Sequence, residues 1–113
     1  MSMRRAQHPD RNPTMTTTIE LIALLSSADK AALSKGHHCV VPVDENGEPI
    51  PHLVRVQDPE YVRRTFRPMR WMTPADVAGA RREPDMEIGE KVTYAVDFHP
   101  RHGVKRRTIV RLA

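Results

Sequence analysis

The sequence has a single cysteine, Cys39, so an internal disulfide bond is excluded and a reducing compartment is expected. It also lacks an apolar run long enough to cross a bilayer, because the longest candidate, Ile19 to Leu25, is short and contains Glu20. No apolar stretch follows the basic residues near the N-terminus, as it would in a secretory signal. We therefore expect a cytoplasmic protein with no membrane partner.

Aromatic side chains are scarce, at 4% of a 113-residue chain whose apolar fraction is 39%. The core must therefore be built from Leu, Val, Ile, Ala and Met. The length allows one domain and not two. Residues 1–15 are polar, contain two prolines and show no hydrophobic period, which is typical of disorder. We expect a disordered leader over 1–15 and a single domain over 16–113.

The motifs of common enzyme classes are missing. The sequence contains no glycine-rich phosphate loop, no Gly-x-Ser-x-Gly and no His-Glu-x-x-His. The side chains of zinc-ligand type are His37, His38, Cys39, His99 and His102. A zinc site usually has four ligands and often a Cys-x-x-Cys pair, which is absent, so we interpret these as helix-end and loop residues. We expect no catalytic residue, no metal site and no cofactor.

Several stretches carry helix-start signals. Residues 17–35 contain two capping-box spacings with apolar residues after them, which predict either a pair of short helices or one bent helix. An Asp-Pro pair predicts a helix over 58–66, and a Thr-Pro pair predicts another over 73–81. Between them, 69–72 is predicted to be a short strand or a bend. The side chains predicted to face the core from the 58–66 helix are Tyr61, Val62 and Phe66.

Two hairpins are predicted. An Asn-Gly turn follows the valine-rich stretch 40–43 and leads to a return strand over 50–56, whose prolines favour an edge position. The second hairpin joins 92–98 to 104–112, and alternation gives it one apolar face and one basic face. We predict an α+β fold with a small, mostly antiparallel sheet and two or three short helices.

The second hairpin also carries a resemblance. From residue 88 the sequence runs Ile-Gly-Glu-Lys-Val-Thr-Tyr-Ala-Val-Asp, passes a turn with Gly103, and ends Thr-Ile-Val-Arg-Leu at residue 112. This stretch resembles the last two strands of cold-shock and related OB-fold domains, which implies a barrel-like sheet. The family's aromatic-rich binding motifs, of Lys-Gly-Phe-Gly-Phe and Val-Phe-Val-His-Phe type, have no counterpart here. No binding residue is therefore carried over from the family.

Positive charge gathers at the C-terminal end. Lys and Arg total 18 against 14 Asp and Glu, for a formal net charge of +4, and no acidic residue follows Asp97. Alternate residues of a strand share a face, so the second hairpin would present a cationic stripe able to track phosphates. The residues predicted to bind nucleic acid there are Arg101, Lys105, Arg107 and Arg111.

A second group of arginines surrounds the 58–66 helix. Arg63, Arg67 and Arg70 have the spacing of one helix face and complete the predicted nucleic-acid-binding set. The aromatic residues near the cationic segments that could stack on bases are Trp71, Tyr94 and Phe98. Of these, Tyr94 and Phe98 are expected in the core.

Two functions fit these features. The first is a small basic module that binds nucleic acid through the cationic hairpin face, or an acidic protein surface by the same charge. The alternative is a phage- or plasmid-type accessory protein that binds another protein and regulates or inhibits it without catalysis. The acid-free C-terminal segment favours the first. The scarcity of aromatic residues favours the second, because few remain to stack on bases once the core is filled.

Overall fold

The computed structural model describes the backbone of residues 13–113 and the side chains from residue 18 onward, so most of the predicted leader lies outside the described residues. The described chain forms four α-helices and four strands, which confirms the α+β class with more helices than the two or three predicted. In chain order the elements are α1 (Pro13–Ala23), α2 (Ser27–Ser34), β1 (His38–Val43), β2 (Arg55–Gln57), α3 (Pro59–Thr65), α4 (Pro74–Arg82), β3 (Lys91–His99) and β4 (Gly103–Arg111).

The first helical region is a pair of helices. Helix α2 begins after Ser26, whose hydroxyl oxygen accepts a hydrogen bond from the backbone N–H of Asp29 at 3.1 Å. The backbone of Ser26 is extended rather than helical, so this cap separates α2 from α1. Of the two arrangements predicted for 17–35, the structure adopts the pair. Helix α1 begins at Pro13, earlier than the predicted start.

The strands form one antiparallel sheet in the order β2-β1-β4-β3. Strands β2 and β3 are its two edges, so the sheet stays open and the barrel-like alternative is not adopted. The return strand lies at an edge of the sheet, as predicted. It spans Arg55–Gln57 as β2 and is shorter than the predicted strand over 50–56. Residues Pro51–Leu53 form a 3-10 turn, and within the predicted return strand the ladder with β1 is limited to β2. Proline has no N–H for the ladder, which explains the interruption.

The sheet buries apolar side chains on both faces. One core cluster packs against α1 and α2 and consists of Leu21, Cys39, Val41, Val110 and Leu112. The other cluster consists of Val40, Met86, Val92 and Ile109. Successive residues of a strand point to opposite faces, so β1 and β4 each contribute to both clusters.

The basic face predicted for the β3–β4 hairpin is therefore also a core face. Ile109 alternates with Lys105, Arg107 and Arg111 along β4, and it is only 1% exposed. It packs with Met86, which follows the 3-10 turn at Glu83–Asp85. Because this segment covers the sheet there, the prediction of one apolar face and one basic face was wrong.

Asp76 connects the start of α4 to the β3–β4 hairpin through hydrogen bonds. It forms a capping box with Thr73 at the predicted helix start, and its carboxylate is almost completely buried. The same carboxylate accepts hydrogen bonds from the backbone N–H of Ala95 at 3.0 Å and from two nitrogens of Arg106 at 2.9 Å. Ala95 lies at a β-bulge in β3, where the ladder is irregular. The hydrogen bond from Arg106 holds the pKa of Asp76 well below its usual range.

A second buried carboxylate joins three parts of the chain. Glu83 is 4% exposed and accepts hydrogen bonds from the Tyr94 hydroxyl at 2.7 Å and from the side-chain amide of Gln57. Tyr94 also packs against the Val40 cluster, as expected for a core residue. Burial raises the pKa of the Tyr94 phenol, and the charge of Glu83 raises it further.

This burial predicts an unusual tyrosine titration. The sequence has two tyrosines, so in a Tyr61→Phe variant only Tyr94 contributes a phenolate signal. We expect this phenol still to be protonated at a pH about one unit above its ordinary pKa of ~10, because burial disfavours the charged form. Ultraviolet absorbance measures the titration, and circular dichroism at the same pH shows that the protein remains folded. Ionisation at the ordinary value in folded protein would contradict the Tyr94–Glu83 contact.

Candidate nucleic-acid interface

Ion pairing divides the predicted cationic residues into two groups. Arg63 contacts the carboxylates of Glu60 and Asp85, so its charge is largely balanced within the protein. The other six predicted residues have no Asp or Glu carboxylate within 4.0 Å among the residues the structure describes. They are Arg67, Arg70, Arg101, Lys105, Arg107 and Arg111.

The cationic stripe on the hairpin is weakened in two ways. Arg111 is half-buried and donates to two backbone carbonyl oxygens, at 2.8 and 3.0 Å, so part of its guanidinium is already occupied. Lys105 and Arg107 line a groove whose other wall includes Asp44 and Glu45. Acidic side chains this close reduce the attraction of the groove for phosphate. The stripe alone is therefore a poor phosphate track.

The arginines after α3 do not share a helix face, and that prediction was wrong. Helix α3 ends at Thr65, and the chain is extended at the next residue. The proline at 68 explains why the helix does not continue, since the residue before a proline disfavours helical backbone. Arg67 and Arg70 lie beyond the helix, and Arg67 donates to two carbonyl oxygens at its end at 2.8 and 3.1 Å. Its guanidinium keeps further N–H groups for a ligand.

Two arginines outside the predicted set lie over aromatic rings. The guanidinium of Arg64 is 5.8 Å from the centre of the Tyr61 ring, and that of Arg81 is 5.5 Å from the centre of the Phe66 ring. Tyr61 is 58% exposed, so its predicted inward orientation was wrong; the short helix α3 buries no residue fully. We define the arginine surface as Arg64, Arg67, Arg70 and Arg81.

A partly exposed aromatic pair adjoins Arg70 of this surface along the chain. The rings of Trp71 and Phe98 stack, with centres 6.1 Å apart and planes 21° apart. Phe98 is 43% exposed, so its expected place in the core was wrong; neither core cluster extends past Tyr94 along β3. Arg70 precedes Trp71 in the same turn, and Arg101 lies in the turn that closes the β3–β4 hairpin just after Phe98. Trp71 occupies a turn, one of the two forms predicted for 69–72.

His99, His102 and Cys39 make their contacts within the fold. His99 and His102 stack with ring centres 4.6 Å apart, and Nδ1 of His99 accepts hydrogen bonds from the backbone N–H groups of Arg101 and His102. Cys39 is buried in the core, and burial raises the pKa of its thiol. In the described part of the chain, no three His, Cys, Asp or Glu side chains are grouped so as to hold a metal ion.

No family model matches the chain, and no curated protein or solved structure matches it either. Across residues 13–113, no helix has the length and apolar character needed to cross a membrane. The chemistry of the arginine surface and the aromatic pair is therefore the basis on which a function can be argued.

Proposed function

We propose that the protein is a small, basic, cytoplasmic module that binds nucleic acid without catalysis, and that the arginine surface makes the main phosphate contacts. One observation carries this proposal: none of its four arginines has a carboxylate within 4.0 Å among the described residues. Elsewhere Arg63, Arg82 and Arg106 are paired with carboxylates. A surface of cations left unpaired by the fold favours an anionic partner.

The aromatic contacts of Arg64 and Arg81 strengthen the argument. A ring beneath a guanidinium limits the conformations of the side chain while leaving its N–H edges exposed. Guanidinium N–H groups bind phosphate oxygens in pairs, so a held guanidinium loses less freedom when phosphate binds. Arg101, Lys105 and Arg107 extend the positive charge along the hairpin, and we give them a secondary part.

The proposal predicts a steep dependence of binding on salt. Binding releases counterions from the nucleic acid, so added salt weakens it. For each phosphate contact, log K falls by about 0.7 to 0.9 with each tenfold increase in salt concentration. Three or four contacts give a slope of about −2 to −4. Fluorescence anisotropy with labelled single- and double-stranded DNA and RNA, at several salt concentrations, measures it. Absence of binding to every probe at low salt would contradict the proposal.

Two single variants test where the phosphates bind. We expect Arg70→Ala to weaken binding several-fold. The dependence of log K on salt should become less steep by the amount that corresponds to about one phosphate contact. Arg82→Ala is the matched control, because it removes the same charge from a guanidinium already paired with Glu90 at 2.8 Å. Anisotropy titrations of both variants give the comparison. If Arg82→Ala weakened binding as much as Arg70→Ala, only net charge would matter and the assignment to the arginine surface would be wrong.

A different observation supports the second function, the regulation or inhibition of another protein by a phage- or plasmid-type accessory protein. An open, mostly apolar recess of about 510 Å³ lies between α1 and Pro51 and includes Leu21 and Leu24. Leu24 is 82% exposed, and apolar patches of this kind often mark protein contacts. A Leu24→Arg variant would abolish such docking in a co-purification experiment and leave nucleic-acid binding intact.

A further inference from the structure

We infer that the nucleic acid is single-stranded and that one of its bases stacks on the Trp71–Phe98 pair, an inference that rests on the proposed function. Bases inside a duplex are stacked on one another and hide their faces. Only an unpaired base offers a face to a protein ring, so exposed aromatic platforms beside cations are typical of proteins that bind single strands.

The geometry of the pair suits a base. The two rings are nearly parallel, at 21°, and their centres are offset at 6.1 Å. In an offset, nearly parallel pair each ring keeps an outer face that its partner does not cover, and a base can stack on such a face. Stacking of one base on such a ring raises the affinity by about tenfold.

The core does not account for the pair. The sequence has only one tryptophan and two phenylalanines, in a chain where large apolar side chains are scarce. All three side chains nevertheless lie outside both core clusters and remain partly exposed, and two of them, Trp71 and Phe98, stack on each other. Large aromatic rings left on the surface together mark a contact site more often than chance exposure does.

The charges around the pair select the partner. Arg70 and Arg101 adjoin it along the chain, next to Trp71 and in the hairpin turn after Phe98. Asp97 is the acidic residue next to Phe98, and its carboxylate accepts a hydrogen bond from the backbone N–H of Phe98 at 2.8 Å. The two cations outnumber this one carboxylate, so the surroundings favour phosphate over an apolar protein surface.

The unmodified protein provides the test, since Trp71 is its only tryptophan. The probes are a single-stranded oligothymidylate of about 12 nucleotides, an abasic strand with the same number of phosphates, and a duplex of the same length. We expect oligothymidylate to quench the fluorescence of Trp71 and to bind about tenfold tighter than the abasic strand. The duplex should bind more weakly and leave the emission unchanged.

Substitutions separate stacking from general apolar contact. Trp71→Phe keeps an aromatic face and should retain most of the affinity for oligothymidylate, whereas Trp71→Leu should lose about tenfold. Ile88→Ala is the control, because Ile88 is an apolar residue with 67% exposure that belongs to neither aromatic nor arginine group. Circular dichroism verifies that each variant is folded.

The outcomes distinguish the two proposals. Equal affinity for abasic strand and oligothymidylate, with Trp71 emission unchanged, would overturn stacking and leave phosphate binding intact. Equal affinity for the duplex would overturn the single-strand preference. A Trp71→Leu variant that binds oligothymidylate as tightly as the unmodified protein would overturn stacking. It would indicate that the aromatic pair is an apolar surface for a protein partner. Failure of all three probes to bind at low salt would reject the proposed function as well.

Discussion

Gly79→Ala destabilises the protein by about 2–3 kcal/mol, the range typical of overpacking, although alanine is the better helix former. A Cβ atom at Gly79 would lie 2.5 Å from the backbone oxygen of Thr93 and 3.3 Å from the Cβ of Tyr94. The nearer atom belongs to the backbone of β3 and cannot rotate away. Helix α4 would have to move off the sheet to make room.

Helix propensity alone predicts the opposite sign, which makes the measurement decisive. Replacing a helical glycine by alanine gains about 1 kcal/mol where nothing obstructs the side chain. Ala78→Gly, at an exposed position of the same helix, is the control and should cost about 1 kcal/mol. Denaturant unfolding gives both values. A Gly79→Ala variant as stable as the unmodified protein would mean that α4 does not pack closely on β3.

Asp76→Asn should destabilise the protein far more than the loss of a helix cap alone would. The substitution removes the charge that Arg106 pairs with, and it leaves a buried site with imperfect partners for both Arg106 and the N–H of Ala95. Thr73→Ala is the control, because it removes the capping hydroxyl and spares the carboxylate, at a cost of about 1 kcal/mol. Thermal unfolding at neutral pH measures both. Equal losses would show that Asp76 only caps α4.

The same carboxylate predicts a dependence of stability on acid. The pKa of Asp76 is lowered in the folded state, so its contribution is complete above the unfolded value of ~4 and is lost as the pH falls below it. We therefore expect the Tm of the unmodified protein to fall steeply below about pH 4, and that of Asp76→Asn to fall less. Thermal unfolding across this range gives both curves. Parallel curves would contradict the ion pair with Arg106.

Asp76 also connects stability to the candidate site. Trp71 lies shortly before Thr73, where α4 begins, and Phe98 lies shortly after Ala95, to which Asp76 binds. The carboxylate thus fixes the start of the helix against β3 at the same end where the two rings meet. We therefore expect the stacking of the aromatic pair to depend on this attachment.

Local signals accounted for most of the elements. The Ser26 cap, the Thr73 capping box and the alternation along β3 and β4 are set by residues close in sequence, and each predicted its element. The return strand was misjudged where Pro51 interrupts it, and the arginines after α3 were misjudged because that helix ends at Thr65, before Pro68. The covering of both sheet faces could not be predicted, since it depends on how Met86 packs against strands distant in sequence.

The candidate site was predictable only as a set of cations. Clustering in the sequence indicated positive segments, but it could not show which charges are balanced by partners far along the chain. Arg63 meets Asp85, and Arg111 meets the carbonyl oxygen of Met86, through tertiary packing alone. The same packing brings Trp71 to Phe98, a contact that no spacing in the sequence indicates.

One titration tests the central claim most directly. The emission of Trp71 is followed while oligothymidylate is added at low salt, and salt is then added to the complex. The account predicts quenching on addition of the strand and recovery as salt displaces it, since stacking locates the base and phosphate contacts hold the strand. Emission and anisotropy that both stay constant at low salt would contradict nucleic-acid binding at this surface.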